Sequence, residues 1–95
     1  MFIVSLTYVV PLEDVDAMIP AHRSFLDKHF ATGTFLASGA KNPRTGGIIL
    51  AKAASEAELW DIIAEDPFHQ RKIAYYDLQE FTPSRTAPGL EVLSG

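Results

Sequence analysis

The chain has 95 residues, 47% of them hydrophobic and 21% charged, which is the composition of one soluble globular domain. A net charge of -4 with no basic run argues against nucleic acid or an anionic membrane surface as a partner. No apolar stretch approaches the ~20 residues that span a bilayer, and the lack of cysteine removes disulfides and thiol chemistry and makes a cytoplasmic location the expectation.

The opening stretch MFIVSLTYVV has neither a basic flank nor a small-residue cleavage site, so it reads as a strand rather than a signal peptide. Phe2, Val4, Leu6, Tyr8 and Val10 fall on one face and Ser5 and Thr7 on the other, the pattern of a strand with one buried side. Helical periodicity follows from Glu13 to Phe30, interrupted by Pro20. An interior proline costs roughly 3 kcal/mol. The expectation is therefore a short turn over Glu13 to Met18 and a main helix from Pro20 to about Ala31. His22, Phe25, Leu26 and His29 share one face of that helix, and Gly33 suits its C-terminal cap.

Thr34 to Ala40 and Gly47 to Ala53 read as an antiparallel hairpin around KNPRTGG, where Pro43 presets the turn and Gly46 and Gly47 supply positive φ. Ser55-Glu56-Ala57-Glu58 is a capping box ahead of the apolar stripe Leu59, Trp60, Ile62 and Ile63. That helix stops near Glu65 or Asp66, because Pro67 disfavours the α conformation before it. Ile73 to Thr82 is a last strand, in which Tyr75 and Tyr76 face opposite ways, one to pack and one to line a cavity. The domain runs over residues 1–83, and the Pro-, Gly- and Ser-bearing tail over 84–95.

The order strand, helix, strand, strand, helix, strand is that of an α+β, ferredoxin-like split βαβ unit, with helices on one face of an antiparallel sheet. Apolar side chains remain on the open face, which predicts a homodimer formed by packing two sheets across a two-fold axis.

Few residues can carry chemistry. His22 and His29 are two helical turns apart, roughly 10 Å, too far for one metal ion to bind both directly, and no other metal-ligand spacing occurs. No cofactor is expected. For His22 two readings stand: a core-edge histidine satisfied by a backbone carbonyl, or a general acid–base held by a carboxylate. His29 reads as a solvated or interface residue and His69 as exposed, within reach of a pocket mouth. Asp66 before Pro67 is an N-cap and first-turn pair for a short helix anchored by Phe68. The cap leaves one carboxylate oxygen for an imidazole, so the structural and catalytic roles can coexist. Arg44 is either an exposed hairpin-tip arginine or a binder of substrate carboxylate or phenolate. Ser38, without a nucleophile elbow around it, is a polar pocket wall.

Taken in order, H-R-x-F-L, G-T-F-L-A-S-G, P-R-T-G-G-I-I-L, the D-P-F turn and A-Y-Y-D-L-Q-E-F resemble the YCII-like (YciI-related) family over about residues 2 to 83. The resemblance implies a dimeric, ferredoxin-like α+β barrel. Its pocket would be flanked by a histidine of the first helix and an aspartate of the D-P-F turn, matching His22 and Asp66. Within that family many members have no established reaction, and one branch dehydrochlorinates a chlorinated hydroxyhydroquinone. The chain departs from the pattern at Ala40, where the family often carries proline. Two functions follow as expectations. One is a small cofactor-independent enzyme, lyase- or isomerase-like, acting on an aromatic or anionic small molecule. The other is a non-catalytic dimeric module for a small ligand or a protein partner.

Overall fold

Why the chain folds as it does begins with β1 (Phe2–Tyr8), whose alternate residues are buried. The computed structural model describes residues 1–94. Along the chain follow α1 (Leu12–Ala31), β2 (Phe35–Ala40), β3 (Gly46–Ala51), α2 (Glu56–Ile63), the short α3 (Pro67–Gln70), β4 (Ala74–Glu80) and a 3-10 turn at Glu91–Ser94. The sheet order is β2-β3-β1-β4, and every neighbouring pair is antiparallel. This is the expected ferredoxin-like arrangement, with a four-stranded antiparallel sheet and three helices.

Register explains the layering. Phe2, Val4 and Leu6 lie opposite Ala51, Ile49 and Gly47 on one side, and opposite Glu80, Leu78 and Tyr76 on the other. That face is covered by Val15 and Phe25 of α1, Leu59 and Ile63 of α2 and Phe68 of α3, all in one buried cluster. Burying each such side chain contributes about 1.5–3 kcal/mol. On the opposite face Ile3 pairs with Leu50 and Ser5 with Ile48, and Ile3, Ile48 and Tyr75 remain exposed.

Pro20 does not break the helix. One continuous α1 runs from Leu12 to Ala31 with Pro20 inside it, against the expectation of two pieces. Proline removes the bond to the carbonyl four residues back, here that of Asp16, and both residues are solvent-exposed, so water can satisfy the freed group. Meanwhile Val15, Met18 and Ile19 continue the apolar face of Phe25 and Leu26 across the proline, and packing of that face outweighs the local penalty.

Helix ends follow local chemistry more closely. Ser55 Oγ accepts from the Glu58 amide, and a Glu58 carboxylate oxygen accepts from the Ala54 amide, one residue earlier than an ideal capping box. Gly33, at φ 78°, closes α1 in a Schellman motif: the Thr34 amide donates to the His29 carbonyl, and Gly33 to Phe30. The hairpin glycines do something other than expected. Among the described residues, the glycines with positive φ are Gly33 and Gly89, not Gly46 or Gly47. Gly46 is needed for closeness instead, since a Cβ there would stand 1.7 Å from the Leu6 carbonyl oxygen.

Candidate functional site

The turn after α2 builds the site. Asp66 is the N-cap of α3, its Oδ1 accepting from the Phe68 amide at 3.0 Å, with Pro67 at the first helical position. Phe68 is 2% exposed, and its insertion into the core pulls Asp66 fully out of solvent. The same Oδ1 accepts from Nδ1 of His22 at 2.8 Å, across 44 residues of sequence. The second oxygen, Oδ2, accepts from the hydroxyl of Tyr76 on β4. Three donors thus meet one carboxylate, and no buried side-chain nitrogen or oxygen among the described residues lacks a partner. Such convergence is what makes a buried carboxylate tolerable.

A carboxylate only accepts, so the neutral imidazole of His22 carries its proton on Nδ1, leaving Nε2 for the space beyond. That space is a cavity of about 600 Å³ between α1, the β2–β3 hairpin and α3, lined by His22 and Phe68. Leu6, Ile19, Leu26 and Ile49 supply apolar wall, while Tyr8, Ser38, Arg23 and Arg44 supply polar groups. Ser38 lies opposite Ile49 in the β2–β3 register and so faces the helices, as a pocket wall should. Arg44 also reaches this cavity, but its guanidinium donates to Asp16 on α1 at 2.5 Å. That hydrogen bond, aided by the carboxylate charge, raises the Arg44 pKa above its ordinary value.

Of the two readings of His29, solvated or interface residue, the solvated one does not hold. His29 is 6% exposed, wedged between the rings of Phe25 and Phe35, and its Nε2 donates to Glu65 at 3.1 Å. His22 and His29, one face of α1, therefore meet the consecutive acids Asp66 and Glu65. Lys28 also donates to Glu65, and with His29 it holds that carboxyl below its ordinary pKa. Among the described residues no three His, Asp or Glu side chains are grouped as metal ligands would be. His69 is exposed, as expected, and sits edge-on to Tyr76 beside a smaller cleft of about 400 Å³.

Tyr76 is the site residue that pattern alone did not single out. Strand alternation placed it with Ala74 and Leu78, and a buried tyrosine hydroxyl needs a partner, but nothing local identifies Asp66 as that partner. Burial, and then the adjacent Asp66 charge, push its phenol far above the ordinary value, so it remains a donor.

A family model described as YCII-related domain matches residues 1–82. Comparison with curated proteins found no match. Among solved structures the chain is similar to 5-chloro-2-hydroxyhydroquinone dehydrochlorinase of Burkholderia phenoliruptrix AC1100, in complex with 2,5-dihydroxybenzoquinone. The identity is 17%, the match covers 86% of this chain and 94% of that one, and the TM-score is 0.71. At that identity the likeness speaks to the fold. The family match spans nearly the whole chain, and the chain belongs to the YCII-related domain family.

Proposed function

We propose that this protein is a small acid–base enzyme in which His22 moves a proton and Asp66 orients it and balances its charge. The observation that carries the reading is the 2.8 Å His22–Asp66 hydrogen bond at the wall of a cavity of about 600 Å³. A nitrogen base at Nε2 can take a proton from a phenol or from carbon beside a carbonyl. The electron pair left behind then expels a leaving group with its bonding pair, or shifts to give an isomer, and the imidazolium returns its proton to solvent or product. Proton transfer of this kind calls for no cofactor. The mixed lining, apolar with Arg23, Arg44 and Ser38, fits a small aromatic or anionic substrate. The structural neighbour, whose name states dehydrochlorination of a chlorinated hydroxyhydroquinone, supports lyase-type chemistry as the first to test.

The direct test is turnover of halogenated and halogen-free polyhydroxylated aromatics by wild type and His22→Ala. Loss of activity in a variant that still folds supports the reading. A wild type inert towards the whole panel, with His22 unresponsive to bound aromatic acids, favours a non-catalytic ligand-binding module. We also propose that the open sheet face, with Ile3, Ile48 and Tyr75 exposed, pairs with a second copy. Light scattering that gives a monomer mass at micromolar concentration would remove that pairing.

A further inference from the structure

We propose that Tyr76 is a positioning residue whose hydroxyl, acting through Asp66, sets how tightly His22 holds its proton. The inference rests in part on the acid–base reading of His22, and it adds a third member that touches neither cavity contents nor the imidazole.

The chain of contacts is continuous. Tyr76 donates to Oδ2 of Asp66, and His22 Nδ1 binds Oδ1 of the same carboxylate. Asp66 is 0% exposed and Tyr76 6% exposed, so neither contact competes with bulk water. In such surroundings a donor on one oxygen draws charge away from the other. With Tyr76 in place, Asp66 offers His22 less negative potential than a bare buried carboxylate would. Without the hydroxyl, Oδ2 would have no partner and the carboxylate would hold the imidazolium more tightly. With Asp66 ionised, removing the hydroxyl therefore raises the proton affinity of His22. The phenol can serve as a fixed donor because burial and the Asp66 charge hold it protonated.

Other charged groups face the same region. Asp16 and Arg23 come from α1, Arg44 from the β2–β3 hairpin and Tyr8 from β1, all lining the His22 cavity. His69 of α3 lies edge-on to the Tyr76 ring at 5.5 Å. Asp16, Arg23, Arg44 and His69 are exposed, so their effect is screened, while the half-buried Tyr8 adds to the upward push on the Tyr76 phenol. Tyr76 alone among them donates to the carboxylate that His22 binds.

The experiment is an NMR titration of the His22 imidazole in the full chain, using long-range nitrogen–proton spectra that report both midpoint and tautomer. The His22→Gln variant provides assignment. Tyr76→Phe should raise the His22 midpoint measurably while keeping the Nδ1-protonated tautomer. A folded Tyr76→Phe protein with an unmoved His22 midpoint overturns the proposal, because packing or stability changes alone do not retitrate His22. Should the variant not fold, 3-fluorotyrosine at position 76 keeps the ring and the hydroxyl but donates more strongly. It should move the midpoint down, and no movement again overturns the proposal. If turnover is found, the acid limb of the kcat/KM profile should move with the NMR midpoint. An NMR shift in a protein with no turnover on any substrate would count against the enzymatic reading while leaving the Tyr76 coupling in place.

Discussion

The imidazole of His22 lies flat on the phenyl ring of Phe68, with centroids 4.0 Å apart and planes 3° from parallel. The hydrogen bond to Asp66 fixes the ring in its plane, and the stack fixes the plane itself. Phe68 in turn meets Tyr8 edge-on at 6.0 Å. Phe68→Ala should cost about 3–5 kcal/mol in urea unfolding, and Phe68→Leu clearly less. The leucine variant should then lose the ring-current shift that Phe68 imposes on His22. An unchanged His22 proton shift in that variant would show that the stack does not persist in solution.

Asp66 serves the fold before it serves any reaction. Asp66→Ala removes the α3 cap, worth about 1 kcal/mol, and leaves the Tyr76 hydroxyl buried without an acceptor, a loss of about 1–3 kcal/mol. These groups share one network, so the terms do not simply add. The expected total is about 2–4 kcal/mol by denaturant unfolding. His22→Ala should cost less, because the cavity lets water reach the vacated oxygen. The reverse order would mean that His22 is chiefly a core residue.

Arg44 is held by Asp16. An anionic ligand in the cavity would have to compete with that carboxylate. Asp16→Asn should therefore tighten binding of an aromatic acid such as benzoate by at most about fivefold, the range of an exposed ion pair. The gain should shrink as salt is added. Weaker binding in Asp16→Asn would mean that Asp16 positions Arg44 for the ligand rather than withholding it.

Lys72 occupies the position in α3 that Gly33 occupies in α1. At φ 55° it is the one non-glycine residue with positive φ among those described. It closes a second Schellman motif, with Ile73 donating to the Phe68 carbonyl and Lys72 to that of His69. Left-handed backbone with a Cβ costs about 1–2 kcal/mol, part of which glycine returns as unfolded-state entropy. Lys72→Gly should thus stabilise the protein by about 0.5–1 kcal/mol, seen as a higher Tm. A lower Tm would show that the lysine side chain makes a compensating contact.

Glu65 should contribute to acid sensitivity. Its folded pKa lies below the ordinary 4.5, first because Lys28 donates to it and then because His29 does. A carboxyl lowered on folding adds stability that is complete above its unfolded pKa and is lost as pH falls through the folded value. Glu65→Gln should flatten the stability profile below about pH 4.5. The effect is small and weakens with salt, since Glu65 and Lys28 are 42% and 63% exposed. Parallel acid limbs for the two proteins would show that the pairing is not maintained in solution.

Much of this molecule was legible as local chemistry. Period-two and period-3.6 patterns placed the four strands and the main helices. Gly33, Ser55 and the Asp66-Pro67 pair marked helix ends, because capping depends on groups only two to four residues apart. Pro20 misled for the opposite reason, as its local penalty was outweighed by packing along the whole of α1. Gly46 was needed, but for the approach of β1 rather than for a turn, and no local pattern records a strand that is distant in sequence but adjacent in space.

By itself the sequence determined the order of elements, the α+β class, the family resemblance and a short roster of groups able to carry chemistry. Tertiary structure decided which of those groups meet. His22 could have pointed at a backbone carbonyl, but α1 lies against the turn that Phe68 anchors, and the partner became Asp66. His29 was drawn inward beside Glu65 by the same helix phase, Arg44 was taken up by Asp16, and Tyr76 completed the carboxylate from β4. The physical reason is that propensity and capping act over a few residues, whereas pairing a buried charge is a condition on the folded chain as a whole.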